Sequence, residues 1–455
     1  MAKATSVNPA TELEIASYER ITVSEAKNKI AQAHTTFQSW RLTTFDERSK
    51  LMRNLASLLE QSKNEYAQLA TLEMGKLLTQ AVSEIEKCAL ICNYYAEHAE
   101  NLLSDKTIVT EASKSYVTFQ PIGVVLAVMP WNFPFYQVIR FAVPAIMAGN
   151  VGVLKHASNV QGCALKIEEM FIEAGFPKGI FTNLNLSSSD IEPIIKDKYI
   201  RAITLTGSDP AGRSVASIAG QNLKKTVLEL GGSDPYIILE DANLEKATDL
   251  AVYGRLQNNG QTCIAAKRFI VVSEVYDEFL TMFTSKMKHA KMGDPKKEDT
   301  YYGPMARVDL RDELHEQVEK TIRQGGSLIL GGVIPNRKGA YYPATILADL
   351  KPGMEAFDQE LFGPVASVIK AKNEEDAIIL ANSSQYGLGS GVITSNSERG
   401  ERVALQLEAG NSFVNKLVAS DPRLPFGGIK NSGYGRELSS YGIKEFVNTK
   451  TIWID

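Results

Sequence analysis

Two hydrophobic rhythms divide this chain. Residues 24–101 carry apolar side chains at helical spacing, as in Leu51, Leu55, Leu58 and Leu59, and again across 81–95. Glu73-Met74-Gly75-Lys76 interrupts that block, with Gly75 placed to cap a helix. The rhythm then changes to short β-like runs at 107–110 and 115–120, separated by a polar turn, which predicts a hairpin. From Gly123 onward strands and helices alternate. The unbroken apolar run 124–129 fits a strand buried on both faces. A helix over 135–147, a strand over 151–155 and a helix over 160–174 follow, the last closed by Gly175 and Pro177. Further strands are predicted at 181–184, 202–206 and 226–229. A second alternating block starts near Asp234, with strands at 236–239, 268–272, 327–330 and 365–370. Its helices fall at 243–258, 275–288 and 306–324, and 446–453 is again β-like. The order predicts an α/β fold with doubly wound parallel sheets.

Composition narrows the partners. A chain of 455 residues is long enough for about three domain-sized units. Its 44% hydrophobic and 22% charged residues exclude a disordered chain or a coiled coil. A formal net charge of -4 gives no polyelectrolyte character, so nucleic acid is not an expected partner. The longest apolar stretches, 122–131 and 141–154, fall short of the roughly 18–20 residues a membrane helix needs. Met1 to Glu12 is polar and lacks the order of a signal peptide. Cys88, Cys92, Cys163 and Cys263 are too few for a disulfide framework, which predicts a reducing, cytoplasmic setting. The five histidines are scattered, and no metal site is expected.

Several short segments carry candidate chemistry. Cys263 lies in the polar turn Asn258-Asn259-Gly260-Gln261-Thr262-Cys263, whereas Cys88, Cys92 and Cys163 suit a packed core. Taken alone, an isolated cysteine is read first as a small core residue. Met129-Pro130-Trp131-Asn132-Phe133-Pro134 follows a buried strand, where open α/β sheets bind ligands. Thr206-Gly207-Ser208-Asp209-Pro210-Ala211-Gly212 is a strand-to-helix turn whose amides suit a phosphate. Leu228-Glu229-Leu230-Gly231-Gly232 and Leu154-Lys155-His156-Ala157-Ser158 close two further strands.

The ordered set of these motifs resembles the NAD(P)-dependent aldehyde dehydrogenase superfamily, over nearly the whole chain. Glu360-Leu361-Phe362-Gly363-Pro364 and Pro425-Phe426-Gly427-Gly428 through Gly435-Arg436-Glu437 complete it. Within the superfamily the sequence is similar to the succinate-semialdehyde dehydrogenase branch. The resemblance implies an aldehyde dehydrogenase-like fold of two doubly wound α/β domains plus a small β oligomerisation element. The cofactor-binding domain would span 1–106 and 121–230, the catalytic domain 231–439, and the oligomerisation element 107–120 and 440–455. A homodimer or homotetramer is the expected assembly.

By the same resemblance Cys263 is the nucleophile, forming a thiohemiacetal and then a thioester. A free thiol near a pKa of about 8.5 is scarcely ionised at neutral pH, so activation by local dipoles and a nearby base is expected. Asn132 and the Cys263 N–H match the oxyanion donors, and Glu229 the base that activates water. Glu360 matches the carboxylate on the nicotinamide ribose, and Lys155 the contact to the adenosine ribose. Gly207 and Ser208 match the pyrophosphate turn, and Trp131, Gly212, Leu230 and Phe362 complete the cofactor site. Members that prefer NAD often carry Glu where this chain has Ser158, so NADP is expected to be used well, with NAD the alternative. Glu437 matches a glutamate in a proton path. Arg140 matches an arginine that holds a distal carboxylate, with Ser420 beside it and Gln257 where some members carry a second arginine. The expected reaction is oxidation of succinate semialdehyde. The alternatives are a broader range of small aldehydes (lactaldehyde, glutarate semialdehyde), thioester transfer to coenzyme A, or a non-catalytic cofactor-binding relative.

Overall fold

The computed structural model describes residues 3–455. The helical block resolves into three helices, Val23–Trp40, Phe45–Met74 and Leu78–Leu102. Thr22 and Thr44 each close a reciprocal cap with a Glu three residues on, which satisfies the otherwise free N-terminal amides. Gly75 ends the second helix at φ 77°, a left-handed conformation that a side chain disfavours.

The first sheet has the strand order Gly433–Tyr434, Lys225–Glu229, Ile200–Thr206, Val124–Met129, Val151–His156, Phe181–Asn183. All neighbours are parallel except the first pair. The chain enters at Val124–Met129, winds outward through Val151–His156, then returns to build the other side from Ile200–Thr206. The reversal leaves a crevice beyond the carboxyl ends of Val124–Met129 and Ile200–Thr206. The helix Tyr136–Met147 is buried along its whole length and packs on this sheet.

The second sheet runs Ser327–Leu330, Thr345–Ala348, Val365–Ala371, Arg268–Val272, Pro235–Ile238, Gly389–Ile393, Asn411–Val414. It is parallel apart from its first pair. A third, antiparallel sheet joins Val447–Ile454, Lys114–Pro121 and Lys106–Thr107, with Val447 opposite Pro121 and Ile454 opposite Lys114.

Three features differ from expectation. Gly433–Tyr434 pairs with Lys225–Glu229, so the block 231–439 is not confined to the second sheet. The expected strand at 107–110 shrinks to Lys106–Thr107, paired with Tyr116 and Val117, and Ile108 and Val109 face solvent beyond it. The helix expected over 243–258 is Leu244–Leu256, after which Asn258 and Asn259 both take positive φ. Among the described residues no helix is long and apolar enough to cross a membrane.

Candidate active site

Cys263 stands where two cavities meet, and it is the one residue that lines both. The turn before it is unusual. Asn258 and Asn259 adopt φ values of 52° and 58°, which asparagine tolerates better than most residues. Their side chains hold the turn in place. Asn259 Nδ2 donates to the carbonyls of Gly75 (2.8 Å) and Pro304 (2.7 Å), and Asn258 Nδ2 donates to those of Asn132 (2.9 Å) and Gln261 (3.1 Å). Gly260 follows at φ 77°, and any Cβ there would collide with the Gly363 backbone. Lys267, buried to 2% exposure, donates from Nζ to the carbonyls of Thr262 (3.0 Å) and Cys263 (2.6 Å) and pairs with Glu360 at 3.0 Å.

Asn132 reaches the cysteine from the loop beyond Val124–Met129. Its Nδ2 donates to the Gln261 carbonyl at 3.1 Å and has a second hydrogen to offer. His156 anchors that loop, with Nε2 2.9 Å from the Pro134 carbonyl and Nδ1 accepting from Ala157 N at 2.9 Å. Burial lowers the His156 pKa to about 4, which keeps the ring neutral. Glu84 supports the same segment: Oε1 accepts from the N–H of Phe135 and Tyr136, both at 2.9 Å, while Oε2 pairs with buried Lys76. A carboxylate there complements the start of the helix that carries Arg140.

The first cavity is a funnel lined by Arg140, Gln257, Ser420, Lys87, Tyr136 and Phe426 beside Cys263. Arg140 is 2% exposed and forms a buried ion pair with Glu437, while its guanidinium stacks 4.8 Å over the Phe426 ring. Arg140 therefore meets a carboxylate from its own chain. The second cavity lies in the sheet crevice and gathers Trp131, Asn132, Gly207, Ser208, Glu229 and Leu230, with Glu360 and Phe362 on its far wall. Gly212 lies under it, where a Cβ would strike Leu230. Lys155 and Ser158 stand further out, with Lys155 Nζ donating to Ser188 Oγ at 2.9 Å and Ser158 exposed.

The electrostatics bear on how the thiol must be activated. Burial pushes the Cys263 thiol up to about 12, although Lys267 and Arg140 pull the other way. The resting thiol is thus neutral, because loss of solvation outweighs the nearby cations. Glu229 is also held against ionisation. Burial and then the neighbouring Glu437 raise its carboxyl well above the ordinary range, and neither oxygen has a hydrogen-bond partner in the protein. Burial opposes the Arg140 charge, yet Glu437 and Glu229 outweigh it and keep the guanidinium protonated. Burial raises Glu437 as well, with its partner Arg140 pulling the other way.

The crevice suits a dinucleotide. Ser208 precedes the helix Asp209–Gln221 without capping it, leaving free amides aimed outward from the turn. Lys155 is lowered by burial and by the positive Arg20, a surplus of positive charge that a phosphate would relieve. No acidic side chain stands at position 158 to repel one.

An activatable cysteine between a nucleotide crevice and a cation-lined funnel defines an oxidoreductase acting on small carbonyl compounds. The chain belongs to the aldehyde dehydrogenase family, whose model matches residues 2–452. It is 50% identical to a probable NADP-dependent succinate-semialdehyde dehydrogenase of Synechocystis, over 98% of this chain and 99% of that one. It is 48% identical to the NADP-dependent succinate-semialdehyde dehydrogenase of Mycobacterium leprae, with the same coverage. Its fold matches the crystal structure of the succinic semialdehyde dehydrogenase of Streptococcus pyogenes in complex with NADP+ at a TM-score of 0.97. That match has 39% identity and covers 99% of each chain.

Lys267, Lys87, His156 and Glu84 had not been singled out from the sequence. The doubled asparagine before Gly260 was a usable signal for the left-handed turn. Lys267, Lys87 and Glu84 each join a partner far along the chain, Glu360, Ser420 and the Phe135 and Tyr136 amides, which no local pattern marks.

Proposed function

We propose that the protein oxidises succinate semialdehyde to succinate with NADP as the electron acceptor. The observation that carries this reading is Cys263 at the floor of a funnel walled by Arg140, Ser420 and Tyr136, with a dinucleotide crevice on its other side. The names of the relatives point the same way.

Asn132 and the Cys263 N–H face the carbonyl oxygen and stabilise negative charge there as sulfur adds to the aldehyde carbon. The Cys263 N–H donates to no other backbone acceptor among the described residues. The thiol proton must leave as the C–S bond forms, and Glu229 is the buried carboxyl placed to exchange it once ionised. When bound, the nicotinamide dinucleotide supplies the hydride acceptor, and Glu360 with Phe362 would hold its reactive end. Water then attacks the acyl group on Cys263, Glu229 takes its proton, and the C–S bond breaks to release the acid and restore the thiol. Lys155, Arg20 and Ser158 favour a 2′-phosphate at the other end of the crevice. The strand Val447–Ile454, at an open sheet edge, is the proposed contact for homo-oligomer formation.

An aldehyde panel with NADP and NAD, followed by reduced-nicotinamide absorbance, tests the reading. Succinate semialdehyde with NADP should give the highest kcat/KM, and Cys263→Ala should abolish turnover. Equal rates on neutral aldehydes of the same length would overturn the substrate assignment.

A further inference from the structure

Three cations line the funnel: Lys76, Lys87 and Arg140. Two of them are matched within the protein, Lys76 by Glu84 and Arg140 by Glu437. Lys87 has no carboxylate within ion-pair distance among the described residues, and nearby Asp421 pairs instead with Arg423 at 2.6 Å. Lys87 Nζ donates to Ser420 Oγ at 2.9 Å, and that hydroxyl lies 2.6 Å from the Tyr136 hydroxyl. The ammonium also sits 4.6 Å above the Tyr136 ring. An ammonium and two hydroxyls therefore cluster along the cavity that ends at Cys263, and Arg140, whose buried Nη2 has no partner in the protein, lines it beside them.

We propose that Lys87 is the specificity-determining cation for the distal carboxylate of the substrate, with Ser420 and Arg140 supplying hydrogen bonds. This rests on the carboxylated-aldehyde reading above and deepens it. The charge of Arg140 is already balanced by Glu437, so Arg140 orients the carboxylate while Lys87 balances it. A neutral aldehyde gains nothing from either. A charge-assisted contact of this kind should favour the carboxylated substrate by about 10- to 100-fold.

The groups around Lys87 set its titration. Glu84 and Cys88 lie on its own helix, Tyr136 and Arg140 on the facing helix, and Ser420 and Asp421 on the loop beyond Asn411–Val414. Burial, then Arg140, lowers Lys87 to about 8, against a weaker opposing pull from the acids. The preference should therefore be full at neutral pH and fade as pH rises through that value.

The test compares kcat/KM for succinate semialdehyde and for butanal in wild type, Lys87→Gln and Lys87→Arg, from about pH 6.5 to about pH 9.5. Cys263 and Glu229 titrate in both reactions, so the ratio isolates the carboxylate contact. In the wild type the ratio should fall at least about tenfold with rising pH, carried by KM. Lys87→Gln should hold the low ratio throughout, and Lys87→Arg should restore it and extend it to higher pH. A Lys87→Gln ratio within about twofold of the wild type at neutral pH overturns the proposal. Inhibition of butanal oxidation by butanoate separates this idea from the substrate assignment. Should succinate semialdehyde not be preferred while butanoate inhibition weakens in Lys87→Gln, Lys87 binds carboxylates and the substrate reading falls. Butanoate inhibition unchanged in Lys87→Gln overturns the role of Lys87 whatever the substrate.

Discussion

Replacing Arg140 by Met removes one half of an ion pair whose members are 2% and 5% exposed. Glu437 is left buried with no cation in contact, beside a second carboxyl at Glu229. Breaking a buried pair from one side costs about 3–5 kcal/mol, much of it from the stranded charge rather than from the lost attraction. The stack on Phe426, 4.8 Å away, is lost as well. Arg140→Met should therefore lower the melting temperature by about 3–5 °C in a chain of 455 residues. Adding Glu437→Gln removes the stranded charge, and the double variant should recover about half of that loss or more. Activity should not follow stability. Both variants should remain at least about tenfold below wild type in kcat/KM for succinate semialdehyde relative to butanal, because the hydrogen-bond donor to the carboxylate stays missing. Scanning fluorimetry and initial rates on the three proteins settle the matter. A single variant melting within about 1 °C of the wild type, or a double variant melting below the single variant, would refute the argument.

Two further expectations concern groups beside the cysteine. Lys267→Met removes the cation nearest the Cys263 carbonyl and strips Glu360 of its partner. The thiol should ionise at still higher pH, so that alkylation of Cys263 by iodoacetamide slows by about tenfold for each unit; an unchanged alkylation profile would contradict this. Asp234 is 1% exposed, and burial raises it from 3.8 to about 7. The unfolded chain therefore releases this proton first, and stability present at low pH is lost as pH rises toward about 7. Asp234→Asn lacks this loss, which is about 3 kcal/mol between pH 5 and pH 8. Its melting temperature should gain on that of the wild type at the higher pH, and a constant difference between the two proteins would count against the assignment.

Much of the framework was readable in advance because doubly buried strands need unbroken apolar runs. Val124–Met129 and Arg268–Val272 declare themselves in that way. Gly389–Ile393 and Asn411–Val414 do not, since Gly389-Ser390-Gly391 and Asn411-Ser412 resemble turns until neighbouring strands enclose them. The N-terminal pair Lys3–Val7 and Glu14–Glu19 is largely exposed and has no apolar face to betray it. The same limit applies to the site. Motifs carried Cys263, Asn132, Glu229 and Glu360 into one place. The charges that tune them were hidden, because Arg140 meets Glu437 and Lys87 meets Ser420 across most of the chain. Pairing at such separation leaves no local pattern, and the upward push of burial on the Cys263 thiol shows only once the chain is folded around it.

The meeting of two cavities at a single sulfur gives the protein separate doors. On the reading proposed above, the small carbonyl would use one mouth and the nucleotide the other, so the two need not share a path to the sulfur.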